Sequence, residues 1–248
     1  MNQRKRVAIV TGAARGIGFA VAERFAKDGY SVALLDINEA LAKESAEKLR
    51  QTGASAIGIA CDVAKVADLE AAVATTVKAF GAIDVVVNNA GILYSKAVED
   101  VTENEWDREL SINLKGMFFL VQKALPYLKE GISPRVVNVA SMAGRTGGFE
   151  AGVPYSASKG GAIALTRGLA RRLAQYKITV NAVCPSATQS EMIMDWTEEQ
   201  LEGLRRGIPI GHVGQPEEIA AAVCFLASEE ASYITGSAMD VNGGAFMG

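Results

Sequence analysis

The sequence is poor in the residues that most often carry metal or hydrolytic chemistry: it has one histidine, His212, and three cysteines. His212 lies in the segment IPIGHVGQPEE, without cysteines or a carboxylate cluster around it, so neither a zinc-dependent dehydrogenase nor a hydrolase with a Ser–His pair is expected. Cys61, Cys184 and Cys224 lie far apart and form no C-x-x-C pair. They predict neither a disulfide framework nor a metal site, and we interpret them as small buried hydrophobic residues. Proton transfer must therefore depend on Tyr, Lys, Asp or Glu side chains.

The chain also lacks a large charge excess and long apolar runs. Its 25 basic and 28 acidic residues give a formal net charge of −3, so electrostatics favour neither nucleic acid nor an anionic membrane as a partner. No stretch approaches the ~20 apolar residues that span a bilayer. The basic start MNQRKR is not followed by the apolar core of a signal peptide. We therefore expect a cytoplasmic protein.

What the chain does have is a regular alternation of short apolar, β-branched runs with longer amphipathic segments. Strands are predicted over residues 7–11, 31–36, 56–60, 84–88, 135–139, 179–183 and 238–241. Helices are predicted over 17–27, 39–51, 67–80, 106–129, 155–174 and 216–227. This pattern predicts an α/β fold: a single doubly wound, Rossmann-type domain over 1–248, with a seven-stranded parallel sheet and helices on both faces. Ligands are expected at the carboxyl ends of the strands.

The first predicted strand leads into a glycine turn, TGAARGIGFA, that opens an amphipathic helix. Gly12, Gly16 and Gly18 give the spacing G-x-x-x-G-x-G, which differs from the general dinucleotide fingerprint G-x-G-x-x-G. Such a turn lets backbone N–H groups and the positive end of a helix dipole approach a phosphate, although a purely structural turn has the same pattern.

An acidic residue, Asp36, ends the second predicted strand 18 positions after Gly18. A carboxylate there can accept hydrogen bonds from the adenosine ribose and would repel a 2′-phosphate. A helix N-cap is the alternative role, but Asn38 is better placed for it. The sequence therefore predicts NAD rather than NADP, although Arg15 could partly compensate for a 2′-phosphate. Asp62, after the third strand, could bind the adenine edge or cap the next helix.

Tyr155 and Lys159 stand four residues apart in PYSASK, so they share one face of a helix. Such pairs are common on solvated helices, so this one indicates catalysis only when other motifs accompany it. The accompanying motifs are NNAG at 88–91, SINLKG with Asn113, and VNVASMAG with Ser141. Together with the glycine turn, this order resembles the short-chain dehydrogenase/reductase family, from VAIVTGAARGIG to YITGSAMDVNGG.

The resemblance implies a catalytic tetrad of Asn113, Ser141, Tyr155 and Lys159. Tyr155 would exchange the proton at the substrate oxygen, Ser141 would bind that oxygen, and Lys159 would hold the nicotinamide ribose. Asn113 would hold a water that relays protons to Lys159. Because an adjacent ammonium and a positive nicotinamide both favour phenolate, we expect the pKa of Tyr155 to fall below its usual value of roughly 10.

The resemblance also implies a cofactor site and a substrate pocket. The implied cofactor contacts are Gly12, Arg15, Gly16, Ile17, Gly18, Asp36, Asp62, Val63, Asn89, Ala90, Gly91, Tyr155, Lys159, Pro185, Ser186, Thr188 and Ser190. Two of these depart from the family pattern: Ser186 replaces a usual glycine and Ser190 a usual threonine. Residues 188–211 resemble the mobile lid over the substrate. The expected substrate contacts are Tyr94, Gly148, Phe149, Glu150, Met192 and Trp196, with Gly152 also at the pocket rim.

The predicted function is an NAD(H)-dependent oxidoreductase that interconverts a secondary alcohol and its ketone, the alcohol being a polyol or another small polar one. The alternative is a 3-oxoacyl-[acyl-carrier-protein] reductase, which in this family normally needs NADPH and a basic patch for the acidic carrier. Asp36 argues against NADPH. A basic patch is still possible, because the chain has Arg167, Arg171, Arg172 and Lys123. A non-catalytic dinucleotide sensor would be expected to lose Tyr155 or Lys159, and both are present. Family resemblance further implies a homotetramer, with no metal.

Overall fold

The computed structural model describes residues 4–148, 151–189, 202–203 and 205–248, which are built around one parallel sheet. Its strands are β1 (Val7–Thr11), β2 (Ser31–Asp36), β3 (Ser55–Ala60), β4 (Val85–Asn88), β5 (Arg135–Val139), β6 (Thr179–Pro185) and β7 (Ala238–Val241). Their order is β3-β2-β1-β4-β5-β6-β7, and every neighbouring pair is parallel. The predicted doubly wound sheet is therefore confirmed. The strand order reverses between β1 and β4, where such sheets form their ligand crevice.

Helices cover both faces of this sheet, as predicted. They are α1 (Gly16–Lys27), α2 (Glu39–Gln51), α3 (Val66–Phe80), α4 (Glu103–Leu110), α5 (Gly116–Leu128), α6 (Ala143–Thr146), α7 (Val153–Leu173) and α8 (Pro216–Ala227). On one face, Phe25 of α1 and Leu226 of α8 belong to a single buried cluster with strand residues. On the other face, Leu69 of α3 and Leu120 of α5 do the same. Strands that are buried on both sides explain why their sequence runs are continuously apolar.

The largest difference between the predicted and the observed elements is in the segment predicted to be one helix over 106–129. It begins earlier, at Glu103, because Thr102 and Glu105 form a capping box: Thr102 Oγ1 accepts from the Glu105 N–H, and the Glu105 carboxylate accepts from the Thr102 N–H. It is also interrupted by a π-helical turn, Ser111–Lys115, between α4 and α5. The short helix α6 was not predicted, because four residues carry no periodic pattern.

Asp84 was predicted to start the fourth strand, but β4 begins one residue later, at Val85. The side chain of Asp84 connects segments at the amino end of the sheet. The carboxylate is buried and accepts hydrogen bonds from the backbone N–H groups of Val7 (2.7 Å) and Ile132 (2.5 Å). Arg4 completes the set with two charge-assisted bonds of 2.6 and 2.8 Å. Among the described residues, no helix is long and apolar enough to cross a membrane.

Candidate active site

The glycine turn lies at the carboxyl end of β1 and opens α1. Gly12 and Gly16 adopt positive φ values of +60° and +56°. A Cβ on Gly18 would collide with the carbonyl oxygen of Gly12, so only glycine allows this close approach of helix and turn. The N-cap residue Arg15 makes no side-chain capping bond to the first turn of α1. Because the N-cap side chain does not cap the first-turn N–H groups of α1, these groups suit a diphosphate. The turn therefore fits a dinucleotide.

Two side chains brace the turn from β1 and the β4 end. Thr11 Oγ1 accepts from the N–H groups of Asn89 (2.9 Å) and Ala90 (3.0 Å). The Asn89 amide donates to the carbonyls of Thr11 (2.9 Å) and Gly12 (3.1 Å). The side chain of Asn89 is therefore committed to shaping the turn. Thr11 was not among the predicted site residues, although its place directly before Gly12 at a strand end was a usable signal.

Asp36 lies at the end of β2 with its carboxylate directed at the glycine turn. Its Oδ2 accepts from the Ala14 N–H at 3.2 Å, and its Oδ1 accepts from the Asn38 N–H at 3.0 Å. The N-cap of α2 is Asn38, whose side chain accepts from the Leu41 N–H. Asp36 is thus not the helix cap, and it remains half-buried at the edge of the crevice.

Asp62 follows β3 at the same edge. Its Oδ1 accepts from the Ala64 N–H at 3.1 Å, and its Oδ2 lies 3.6 Å from Lys65 Nζ. The N-cap position of α3 belongs to Lys65, so Asp62 shapes the preceding turn and does not cap the helix. Val63 is half-buried beside it, and a Cβ on Gly116 would contact the Val63 carbonyl oxygen at 2.6 Å.

The carboxyl end of β5 and the first turns of α7 bring three of the predicted catalytic residues together. Ser141 follows β5; its hydroxyl accepts from the Ala143 N–H at 3.1 Å and acts on the Tyr155 phenol of α7, whose pKa it lowers. Lys159, one turn further along α7, is buried and donates from Nζ to the Val139 carbonyl at 2.8 Å. The same Nζ lies 5.6 Å from the centre of the Tyr155 ring. A Cβ on Gly91 would lie 3.4 Å from Lys159 Nζ, so glycine leaves room for the ammonium here.

Asn113 is the central residue of the π-helical turn and is fully buried. Its Oδ1 accepts from the Ile92 N–H and its Nδ2 donates to the Ile92 carbonyl, both at 2.9 Å. Nδ2 also donates to Ser158 Oγ at 3.1 Å, and Ser158 Oγ donates to the Tyr155 carbonyl at 2.7 Å. Both amide hydrogens of Asn113 are thus used within the protein, and a relayed water would have to bind an oxygen of this residue.

Of the two residues Tyr155 and Lys159, Tyr155 has a pKa that differs from the sequence-based prediction. In this structure the pKa of Tyr155 is raised, chiefly because the phenol is desolvated, with the Ser141 hydrogen bond acting in the opposite direction and Glu109 adding to the rise. Desolvation also lowers the pKa of Lys159 to about 8, against smaller raising effects of Cys184 and Glu109. The predicted fall in the pKa of Tyr155 is therefore not seen in the protein alone, because desolvation of the phenol is the largest effect on it.

The segment that was predicted to contact the nicotinamide follows β6, which extends to Pro185. The Pro185 carbonyl accepts from the Met142 N–H at 2.8 Å, which joins this segment to the Ser141 loop. Ser186, at the position where the family has glycine, donates from Oγ to the Asn242 carbonyl at 3.2 Å. Thr188 is buried and donates to the Ser186 carbonyl. The serine is accommodated because its hydroxyl has a partner in the chain segment after β7.

The substrate side is described in part. Tyr94 lies in the loop after β4, and a Cβ on Gly152, the N-cap of α7, would collide with its carbonyl oxygen. Gly148 has a φ of +72° before the first break in the described residues. Phe149, Glu150, Ser190, Met192 and Trp196 lie outside the described residues, as does most of the predicted lid over 188–211.

Three residues outside the predicted set have a place in or near the site. Ser158 bridges Asn113 to α7, and Glu109 is a buried carboxyl one helical turn before Asn113. The spacing i, i+4 indicates that Glu109 shares a helix face with Asn113, but it does not indicate that the carboxyl is buried. Cys184 is buried at the end of β6, as expected for a small hydrophobe, with Arg145 and Lys159 near its thiol. His212, by contrast, pairs with Glu218 at the start of α8, with Nε2 3.1 Å from Oε1.

Comparisons with known proteins agree with this arrangement. A family model described as enoyl-(acyl carrier protein) reductase matches residues 12–245. A 3-oxoacyl-[acyl-carrier-protein] reductase of Staphylococcus aureus is 40% identical over 244 residues, which are 97% of this chain and 98% of the relative. A 4-formylbenzenesulfonate dehydrogenase of Comamonas testosteroni is 40% identical over 251 residues, covering 98% of this chain and 99% of the relative. Among solved structures, a 3-ketoacyl-(acyl-carrier-protein) reductase from Brucella melitensis complexed with NADH superimposes with a TM-score of 0.91 at 35% identity, covering 98% of this chain and 99% of that one.

Proposed function

The chain belongs to the short-chain dehydrogenase/reductase family, whose members oxidise CH–OH donors with NAD or NADP, and we propose that it is an NAD(H)-dependent enzyme that interconverts a secondary alcohol and the corresponding ketone. We propose a small polar alcohol, such as a polyol, as the substrate class. Asn113, Ser141, Tyr155 and Lys159 are the proposed catalytic residues.

The observation that carries the choice of NAD is Asp36. Its carboxylate ends β2 and bonds the backbone of the glycine turn, which is where an adenosine ribose would lie if the turn holds the diphosphate. A 2′-phosphate at that position would be repelled by this carboxylate. When bound, the nicotinamide dinucleotide supplies the two-electron redox step, and Gly12, Gly16 and Gly18 form the turn that would hold it.

The residues of the chain itself supply the proton and hold the oxygen. Tyr155 is the proposed proton donor in carbonyl reduction and the acceptor in alcohol oxidation. Ser141, whose hydroxyl lowers the pKa of Tyr155, would bind the same substrate oxygen and stabilise its developing charge. Lys159 lies one helical turn after Tyr155, and its Nζ is bonded to the Val139 carbonyl. Its ammonium can therefore act on the Tyr155 phenol without reaching the substrate.

A second candidate function is reduction of a 3-oxoacyl chain on acyl-carrier protein. The name of the Staphylococcus aureus relative favours it, and the description of the matching family model also names a reductase of substrates on acyl carrier protein. The Brucella melitensis structure pairs a reductase of this kind with NADH. Cofactor preference alone therefore cannot separate the two functions, and the substrate has to be varied as well.

The deciding experiment follows nicotinamide absorbance with a panel of polyols, other secondary alcohols and 3-oxoacyl thioesters, each with NAD(H) and NADP(H). Oxidation of an alcohol with NAD is the expected result. Reduction of the thioester with a kcat/KM well above that of every ketone in the panel would replace the proposed function with the second candidate.

The reading of Asp36 is tested separately by Asp36→Asn, which removes the charge and keeps the shape and one acceptor oxygen. We expect the affinity ratio of NADP to NAD to rise by roughly tenfold or more, which is ~1.4 kcal/mol. Titration of both cofactors against the purified variant measures it. Asp28→Asn, an exposed carboxylate beyond the end of α1, is the control and should leave the ratio unchanged. An unchanged ratio in Asp36→Asn would show that another residue selects the cofactor.

We also propose a cytoplasmic homotetramer that assembles through the outer faces of α5 and α7. A shallow apolar groove supports this surface, lined by Phe118, Leu125, Leu165 and Leu169 among others. Sedimentation of the purified protein would test the assembly, and a monomer at micromolar concentration would reject it.

A further inference from the structure

Glu109 carries a buried carboxyl on α4, the helix that packs on α7, which bears the proposed proton donor. It lies in the last turn of α4 and has no solvent-exposed surface. Its Oε1 accepts from the Tyr94 N–H at 3.3 Å. Within the described ranges its Oε2 is buried and makes no hydrogen bond. A carboxyl that is buried with one oxygen unpaired is costly, so a role for it is expected.

Glu109 and Asn113 together fasten the loop after β4 to the α4 segment. They are four residues apart, and they bind alternate residues of the loop, Tyr94 and Ile92 respectively. An amide such as glutamine would provide the same acceptor for the Tyr94 N–H. The loop contact therefore explains a polar side chain at position 109, but it does not require a charge.

The charge of Glu109 acts on the proposed acid/base pair. The α4 helix packs on α7, which presents Tyr155 and Lys159. Burial raises the pKa of Glu109, and the Tyr94 N–H and Lys159 ammonium oppose that rise. In return, Glu109 raises the pKa of both Tyr155 and Lys159. The loop presents the Tyr94 backbone to Glu109, and β6 presents the Cys184 thiol to Lys159 from the other side.

We propose that Glu109 is a positioning residue: its carboxyl, buried on the helix that packs on α7 and held by the Tyr94 N–H, favours the protonated, proton-donating form of the Tyr155 phenol. The inference rests on the proposed function in taking Tyr155 as the proton donor. A phenol that stays protonated is the form required for carbonyl reduction, in which its proton passes to the substrate oxygen. Glu109 thereby widens towards high pH the range in which the enzyme can reduce a ketone, and it narrows the range in which Tyr155 can accept a proton from an alcohol.

The test is Glu109→Gln, which keeps an acceptor for Tyr94 and removes the charge. Ionisation of Tyr155 is followed by the ultraviolet absorbance of tyrosinate, as the difference between each protein and its Tyr155→Phe counterpart. We expect the midpoint to fall by about one pH unit, since a like charge removed from a buried neighbour has an effect of this order. With a ketone, the high-pH limb of kcat/KM for reduction should move down by the same amount.

Two further variants separate charge from structure. Asp107→Asn removes a carboxylate from the exposed face of α4 and should leave the midpoint unchanged. Glu109→Asp keeps the charge while shortening the reach to Tyr94, so its midpoint should stay closer to that of the unmodified protein than to that of Glu109→Gln. An unchanged midpoint in Glu109→Gln overturns the inference. A higher midpoint also overturns it, because Glu109 would then act mainly by keeping Lys159 charged. The titration needs no substrate, so it remains decisive if no alcohol or ketone is turned over.

Discussion

At Tyr155, burial and hydrogen bonding act against each other. The desolvated phenol resists ionisation, and the Ser141 hydroxyl relieves that resistance in part. Lys159 is directed to the Val139 carbonyl and faces the ring of Tyr155. A positive nicotinamide is the remaining group that could bring the pKa of Tyr155 down, so the phenol should become an effective base only in the cofactor complex.

Replacing Tyr155 by Phe removes the proton donor and keeps the ring. We expect turnover to fall by roughly 10²-fold or more, since general acid–base catalysis contributes about 10²–10⁴-fold. Affinity for NAD should stay within a few fold, because the glycine turn and Asp36 are untouched. Nicotinamide absorbance measures the first and fluorescence titration the second. Tyr127→Phe, at an exposed position on α5, is the matched control. Turnover retained in Tyr155→Phe would refute the acid/base role.

The residues that the sequence identified are those whose motifs recur at fixed strand ends, such as Asp36 and the glycine turn. Glu109 and Ser158 were missed for a physical reason. Each makes its contact across two helices or between a helix and a loop, and nothing in a single amphipathic pattern distinguishes a buried carboxyl or hydroxyl from an exposed one.

At the scale of elements, the π-helical turn Ser111–Lys115 determines where Asn113 lies. The extra residue in the turn breaks the regular register between α4 and α5 and is typical of functional positions in helices. Asn113 then spans from the loop at Ile92 to Ser158 of α7. One amide thus connects three elements, and Ser158 is the contact that fixes α7 against the turn.

Ser158→Ala should weaken that junction. It leaves one Nδ2 hydrogen of Asn113 without a partner in a buried place, which costs roughly 1–3 kcal/mol of unfolding free energy. Denaturant titration measures the change. Thr75→Ala is the control, because Thr75 is exposed on α3 and its hydroxyl bonds its own helix, so its effect should stay within about 0.5 kcal/mol. If both variants lose the same amount, the Asn113–Ser158 bond does not hold the elements together.

At the scale of the whole molecule, the seven-stranded parallel sheet and the helices on both of its faces were predicted from the sequence, because apolar runs that alternate with amphipathic helices favour this arrangement. The elements whose ends were wrong are those governed by side-chain contacts: the capping box at Thr102, the π-turn, and Asp84 at the amino end of the sheet. Asp84 and Arg4 are 80 positions apart in the sequence, whereas the capping box and the π-turn are local features formed by specific side chains and by the backbone. Hydrophobic periodicity carries no information about them.

The buried Lys159 should also couple the stability of the whole protein to pH. Its pKa is about 8 in the folded protein and 10.5 as the ordinary value, so between these values the unfolded chain binds more protons. Stability contributed by this group therefore rises as pH increases through that window, by about 1 kcal/mol from about pH 7 to about pH 9.

Lys159→Met removes this titration while keeping a long side chain in the same space. The variant should be more stable relative to the unmodified protein at about pH 7 than at about pH 9, with the difference in unfolding free energy shrinking by about 1 kcal/mol. Denaturant unfolding of the cofactor-free proteins measures it. Titrating groups that do not interact with Lys159 are shared by both proteins, so their contributions cancel in the difference. Lys78→Met, at an exposed position on α3, should show no such change. A difference that is constant with pH would mean that Lys159 keeps an ordinary pKa, and that the ammonium is held by contacts strong enough to offset its burial.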